Sequence, residues 1–380
     1  MDEKRGQTTV QTDDVQADAE LVERKPSLSQ KQLIWRRLKR HRLGMVGAVV
    51  VLMLVVISIF APFFSPYNYM EPDFDRAYTP PQRVRIRDAD GNWRRPFVYG
   101  LTRGFDEQTW RRTYVEDTDE IYPIRFFIRD WEYGFLGITS NVHLFGVEEG
   151  GPLYLLGTDH LGRDMLSRII HGSRISLFIG VAGSLVSALF GSFIGGWSGY
   201  FAGKVDMLLQ RFVELLQLFP QLPLMMALSA AIPTEWPPFA VFIGVVFILA
   251  LVQWTWLARE VRGKVLSYRD QDFVLATKTA GGSDLYIIAF HILPNCFSHI
   301  IVVVTVTIPH LILAESALSF LGLGIQPPMV SWGVLLSNAT DLQTIGENPW
   351  ILIPGLFILL TILALNFFGD GLRDAADPYS

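Results

Sequence analysis

The chain holds a single cysteine, Cys296, among its 380 residues. It can close no intramolecular disulfide and build no cysteine-based metal site, so any part facing an oxidising compartment must be held by packing alone. A nucleotide-binding loop is missing as well. The pairs Gly203-Lys204 and Gly263-Lys264 are each followed by valine, and neither has the upstream glycine of G-x-x-x-x-G-K-[ST]. ATP hydrolysis, if the protein depends on it, belongs to another chain. No basic stripe of the kind that tracks phosphates is present, and the net charge is −5, so nucleic acid is not an expected partner. Residues 65–173 contain no lysine, and their thirteen arginines are outnumbered by seventeen acids. His143 is the only histidine between residues 65 and 159, which equips that segment thinly for acid–base chemistry.

What the sequence does have is long apolar runs. From Leu43 to Phe64 the only polar side chain is Ser58, and a helix of about 20 apolar residues spans a bilayer. That run is too long for a signal-peptide core, and no small-residue cleavage site follows it, so it reads as a retained first span. Hydropathy predicts six spans, at about 43–64, 175–200, 212–232, 239–258, 298–322 and 350–369. Pro220 and Pro223 in the third and Pro309 in the fifth predict kinked, closely packed helices. Gly191, Gly195, Gly196 and Gly199 form a small-residue face in the second, suited either to close helix contact or to nothing beyond ordinary membrane glycine. The fold class expected is an all-α polytopic membrane protein with a β-rich insertion after its first helix.

Residues 1–30 are polar and unpatterned, and disorder is expected there. Six Lys/Arg and no acid lie between Lys31 and Arg42, which places residues 1–42 in the cytoplasm by the positive-inside rule. Both termini are then cytoplasmic, residues 65–157 form an external insertion, and residues 158–380 form a five-helix core. Long loops translocate whatever their charge, so the arginines of the insertion do not break the rule. RVRIRDADGNWRRPFVYGL alternates and turns like a β-hairpin, and YPIRFFIRDW reads as a further strand. A small β-rich cap on the membrane face is expected.

The cytoplasmic loop 259–297 contains DFVLATKTAGGSDLYIIAFHILPN, starting at Asp272. Apolar spacing predicts a helix through VRGKVLSYRDQDFVLATKT, ended by Gly281 in the left-handed position past a helix terminus, with Gly282 beside it. Ser283 is placed to cap a second helix, with Asp284 in its first turn. A helix–turn–helix of this kind suits a groove in a partner.

Its spacing resembles the coupling loop of ABC importer permeases, whose motif is EAA, three residues, glycine, nine residues, I-x-L-P. Leu275, Ala276 and Thr277 stand at the EAA places, Gly281, Leu293 and Pro294 match, and His291 replaces the isoleucine. WRRLKRHRLGMVGAVVVLMLVVISIFAPFFSPY, LGTDHLGRDMLSRIIHGSRISLFIG, SALSFLGLGIQPPMVSWGVLL and LNFFGDGLRDAADP resemble the C-type permease of dipeptide and oligopeptide importers, from about residue 31 to 378. The resemblance implies half of a heterodimeric channel in a bacterial inner membrane. The partners it implies are a homologous second permease, two ATPase subunits, an external solute-binding protein and membrane lipid. It implies no cofactor of the chain's own. Leu275, Ala276, Thr277, Gly281, Gly282, Ser283, Asp284, Leu293 and Pro294 become the residues expected to couple to the ATPases. Peptide is the expected solute, with oligosaccharides, opine-like compounds or metal chelates as alternatives.

Outside that loop, His160 and Asp164 have i, i+4 metal-ligand spacing. The stronger expectation is an interfacial helix capped by Thr158 or Asp159, with Arg163 and Arg168 balancing the acids. Arg211 and Glu214 read as an i, i+3 pair. His310 and Glu315 lie toward the outer end of the fifth span, where they would line the translocation path or reach external water. Asn366 and Asp370, near the inner end of the sixth, read as packing and capping groups. A self-contained secondary transporter would need an inverted repeat and broken midplane helices, and the six spans show no repeat. A membrane-bound enzyme would need a nucleophile and base in the cap, where none stands out.

Overall fold

The computed structural model of the protein describes residues 30–376 apart from 106, 108–111, 136, 149 and 234. The disorder expected for residues 1–30 thus falls outside the described residues except at Gln30, which opens helix α1 (Gln30–Leu38). His41 ends the basic segment by accepting from the Gly44 amide at 2.9 Å, capping α2 (Arg42–Ile59). A short α3 (Ala61–Phe64) follows. After the insertion come α4 (Met165–Phe201), α5 (Gly203–Gln217), α6 (Gln221–Ala230), α7 (Pro238–Tyr268) and α8 (Asp272–Thr279). Helix α9 (Asp284–Phe320) carries a π-helical turn over Ile287–Ile292. Last come α10 (Trp332–Leu336), α11 (Leu342–Glu347) and α12 (Pro349–Ala376).

Among the described residues five helices, α2, α4, α7, α9 and α12, are long and apolar enough to cross a membrane. The third expected span is not one helix. It is the pair α5 and α6, bent by 82° at the break between them. Pro220 sits at the N-cap of α6, where its missing N–H costs no helix bond, and Pro223 follows inside the first turn. By contrast Pro309 is accommodated within α9, which continues through it. Helix α7 also outruns its expected span, reaching Tyr268 before it stops at the polar run Arg269-Asp270-Gln271. The single helix expected across that run is therefore two.

The glycine face of α4 meets α7. A Cβ built on Gly195 would stand 2.3 Å from the Ala258 carbonyl oxygen, so the two backbones touch where any side chain would separate them. At the other end, Trp332 is fully buried, donates from its indole to the Ile169 carbonyl at 3.0 Å and anchors the start of α10 between α4 and α12.

The insertion is β-structured, in two small antiparallel sheets. One has strand order β1 (Arg85–Arg87), β2 (Trp93–Phe105), β3 (Arg112–Pro123); the other pairs β4 (Arg125–Phe135) with β5 (Ile138–Gly146). The β1–β2 bend lies at the expected Asp-Ala-Asp-Gly, where the Asp88 carboxylate accepts from the Asn92 amide at 2.7 Å. Buried Gln82 ties this sheet to the core approach by donating to the Tyr99 carbonyl and accepting from the Tyr154 amide.

Candidate functional site

Helices α8 and α9 meet at the opposite end of α4 from the sheets. The turn between them follows from two glycines. Gly281 has φ +86°, a left-handed conformation that L side chains rarely adopt. Its amide donates to the Lys278 carbonyl, and the Gly282 amide reaches back to the Thr277 carbonyl at 3.0 Å. This paired arrangement satisfies the last carbonyls of α8. Ser283 then accepts from the Tyr286 amide and starts α9. A Cβ on Gly282 would stand 2.9 Å from the Thr277 methyl, so the second glycine is required by close approach.

The unit has two faces. Val274, Ile287 and Ile292 are buried against Leu257, Val261 and Val265 of α7 and against Cys296. Phe273, Leu275, Leu285, Tyr286 and Phe290 face outward, with Leu275 47% exposed. Ala276, Asp284 and Pro294 are exposed as well, while Thr277 and Leu293 are half-buried. The expected coupling residues are thereby gathered on one short element.

Sequence reasoning missed what braces it. The Tyr200 hydroxyl, in the last turn of α4, donates to the Asp284 carboxylate at 2.7 Å. One helix earlier, Arg262 of α7 donates from both Nε and Nη2 to Asp206 of α5 at 2.5 Å, and Asp206 also accepts from Ser198 of α4. Asp206 lies in the first turn of a charged helix, and nothing local in the sequence pointed to partners 8 and 56 residues away.

The segment before α4 departs from expectation. Residues 158–164 form a turn, not an interfacial helix, because Gly157 and Gly162 both take φ +76°. Asp164, neither Thr158 nor Asp159, caps the helix by accepting from the Ser167 amide at 2.7 Å. Burial pushes the Asp164 carboxyl up to about 6, and its Oδ1 has no hydrogen-bond partner among the described residues. Asp159 is fully buried and binds Arg163 and Arg168. Burial alone would raise its carboxyl, but the two guanidinium groups hold it below the usual carboxylate range. Among the described residues no cluster of three or more His, Cys, Asp or Glu could hold a metal ion. Arg211 and Glu214 do pair, at 2.9 Å on an exposed helix face.

The two residues suggested for the path differ in burial within this chain. Glu315 has 0% exposure and accepts from Ser319 at 2.7 Å and from Ser331 at 2.6 Å, joining α9 to the start of α10. Its partner Ser331 lies 16 residues on, beyond the reach of helix periodicity. His310 is exposed and donates to the Val306 carbonyl of its own helix. Asp370 is exposed on α12.

Residues 176–379 match a family model described as binding-protein-dependent transport system inner membrane component. Residues 29–81 match the N-terminal TM domain of oligopeptide transport permease C. The chain is 34% identical over 364 residues to the dipeptide transport system permease protein DppC of Bacillus subtilis, covering 95% of this chain and 89% of that one. It is 44% identical over 226 residues to the oligopeptide transport system permease protein OppC of Haemophilus influenzae, covering 59% of this chain and 70% of that one. A di/tripeptide transport system permease protein DppC of Pseudomonas aeruginosa is 38% identical over 234 residues, covering 61% of this chain and 74% of its own. These matches, together with five helices able to span a bilayer, establish that the chain belongs to the family of binding-protein-dependent transport system inner membrane components.

Proposed function

We propose that the chain is the membrane-spanning subunit of an ATP-driven importer for peptides, forming half of the translocation path and coupling to separate ATPase subunits through the turn centred on Gly281. The relatives named for dipeptide, di/tripeptide and oligopeptide transport support the solute class. The observation that carries the coupling role is the two-faced helix–turn–helix. One face is locked into the core against α7, while the other presents Phe273, Leu275, Leu285 and Phe290 to a partner. Exposed apolar side chains on a short, rigid element are what a groove in another protein selects. The described chain ends support a shared side for both termini: α1 packs against α12, where His41 approaches Asp374 at 3.4 Å. With the basic segment inside, that side is cytoplasmic. The further partners are a second, homologous permease and an external binding protein.

The test is transport and ATPase activity in vesicles holding the full transporter. Gly281→Pro, which fixes φ near −65° where the turn needs a positive value, should leave the chain inserted while hydrolysis no longer drives uptake. Normal uptake in that variant, or uptake by the purified chain alone on an ion gradient, would defeat the reading.

A further inference from the structure

Between the β4–β5 hairpin and the end of α2 lies a cleft of about 230 Å³, lined by Phe60, Pro62, Phe63, Tyr133, Ile138 and Ser140. We infer that this cleft holds an acyl chain of a phospholipid from the leaflet on the sheet side of the membrane. The inference rests on the chain's place in the inner membrane, not on the solute it serves.

The cleft continues an existing lipid surface. Helix α2 leaves Leu52, Met53, Val56 and Ile59 exposed, and its one polar side chain in that stretch, Ser58, is buried with its hydroxyl turned back onto the Val55 carbonyl. Phe60, the next residue, forms the first wall of the cleft.

Its depth in the bilayer is marked by Arg174. That guanidinium donates from Nε to the Ser58 carbonyl and from Nη2 to the Ile59 carbonyl, each at 2.6 Å. An arginine that carries its stem along apolar helices and its charge at their end sits where hydrocarbon gives way to headgroups. The cleft therefore opens at the level of the upper acyl chain, with a cation nearby that suits a phosphate.

The second wall is fixed to this level. His143, with 0% exposure, faces the Pro62 carbonyl with Nδ1 at 2.9 Å and the Trp131 carbonyl with Nε2 at 3.0 Å, pinning the hairpin to the end of the span. Around that anchor the hairpin turns apolar groups outward: Phe126, Phe127 and Ile138 are 65%, 66% and 71% exposed. Large apolar side chains exposed along a water-facing strand pair would be a liability, and they are ordinary beside lipid. Trp131 and Tyr133 lie on the same hairpin with their rings tilted together at 5.6 Å between centroids, the residue types that settle at the headgroup level. The volume falls below the roughly 300 Å³ at which pockets for drug-sized ligands begin, so it suits one narrow chain and not a peptide.

Cys296 is buried, so Ile138→Cys adds the one accessible thiol among the described residues. The test labels that position with bimane in the full transporter, placed in phosphatidylethanolamine and phosphatidylglycerol vesicles whose acyl chains are brominated. Quenching should exceed that of the same label at Asp119→Cys, on the exposed part of β3, by about twofold or more. Adding Ser140→Phe, which fills the cleft, should cut the quenching at position 138 to about half. Equal quenching at 138 and 119 would overturn the inference, as would quenching indifferent to Ser140→Phe. Quenching that is present in the chain alone but lost in the assembled transporter would assign the cleft to a protein neighbour and overturn it too. Uptake is not read, so either failure leaves the transport reading standing.

Discussion

The Tyr200 hydroxyl donates to the Asp284 carboxylate at 2.7 Å, fastening the last turn of α4 to the first turn of α9. A movement of the helix–turn–helix is therefore felt directly by the 37-residue helix α4. A neutral donor to a carboxylate on an exposed site contributes about 1 kcal/mol. Tyr200→Phe keeps the ring and loses that bond, so it should leave the chain assembled and ATP hydrolysis largely intact. Solute moved per ATP should fall by about three- to tenfold. An unchanged ratio would show the contact to be incidental to coupling.

Leu275 stands where the related motif has an acid, and it faces solvent. Leu275→Glu places its charge in water and should change thermal stability by no more than about 0.5 kcal/mol. Co-purification with the ATPase subunits should persist. Complete loss of assembly would mean that the register of the motif on α8 is wrong.

Glu315 is buried and accepts from the hydroxyls of Ser319 and Ser331. Glu315→Ala removes the acceptor for two buried hydroxyls, Ser319 and Ser331, at a cost of about 2–4 kcal/mol, and should lower the melting temperature in detergent. Glu315→Gln keeps an acceptor and should recover most of that loss. A change in apparent affinity for solute without a change in stability would instead return Glu315 to the translocation path.

Gly195→Ala forces a methyl to within 2.3 Å of the Ala258 carbonyl oxygen, so α4 and α7 must part. Overpacking of this kind costs about 1–3 kcal/mol. Size-exclusion profiles after heating should show earlier aggregation than for Gly263→Ala, whose added Cβ meets nothing within 4 Å.

Acid sensitivity near the start of α4 should run in two directions. The Asp159 carboxyl is lowered in the fold, so its contribution is present above the ordinary carboxylate pKa of about 4 and is lost as pH falls through the lower folded value. The Asp164 carboxyl is raised to about 6, so its contribution is full below the ordinary value and is lost as pH rises through 6. Burial holds His160 low, which works against Asp164 as pH falls, so the Asp164 contribution is read as the difference in stability between the unmodified chain and Asp164→Asn: that difference should shift in favour of the unmodified chain from pH 7 to pH 5. Asp159→Asn, which strands Arg168, should cost about 3–5 kcal/mol near neutral pH and progressively less as pH falls through the lowered value of Asp159. A pH-independent difference for Asp164→Asn, or a cost for Asp159→Asn that persists in strong acid, would contradict the assignment concerned.

The spans that rest on long apolar runs were legible because burial in hydrocarbon needs only composition and length. Direction was not. Averaged hydropathy sees 212–232 as one segment, whereas the chain turns by 82° before Gln221 and begins an earlier, charged helix at Gly203 that no apolar window detects. The turn at Gly281 was legible because a positive φ has a residue signature. Spacing could not separate a helix from a looped turn at Asp159, since both place residues four apart together, and the second cation, Arg168, comes from the helix beyond. Of the strands, β3 and β5 went unread: their side chains take meaning from β2 and β4, to which they pair.

Ion pairs at the sheets use guanidinium groups as their cations: Arg85 to Glu116, Arg94 to Asp88, Arg103 to Asp75 and Arg125 to Glu148. With no lysine in residues 65–173, that whole face carries no primary amine, while Lys204, Lys264 and Lys278 lie toward the helix–turn–helix. The two sides of the protein thus differ in nucleophile as well as in shape. An impermeant acylating reagent added outside intact cells should leave the polypeptide unmodified, and the same reagent on inverted vesicles should tag it.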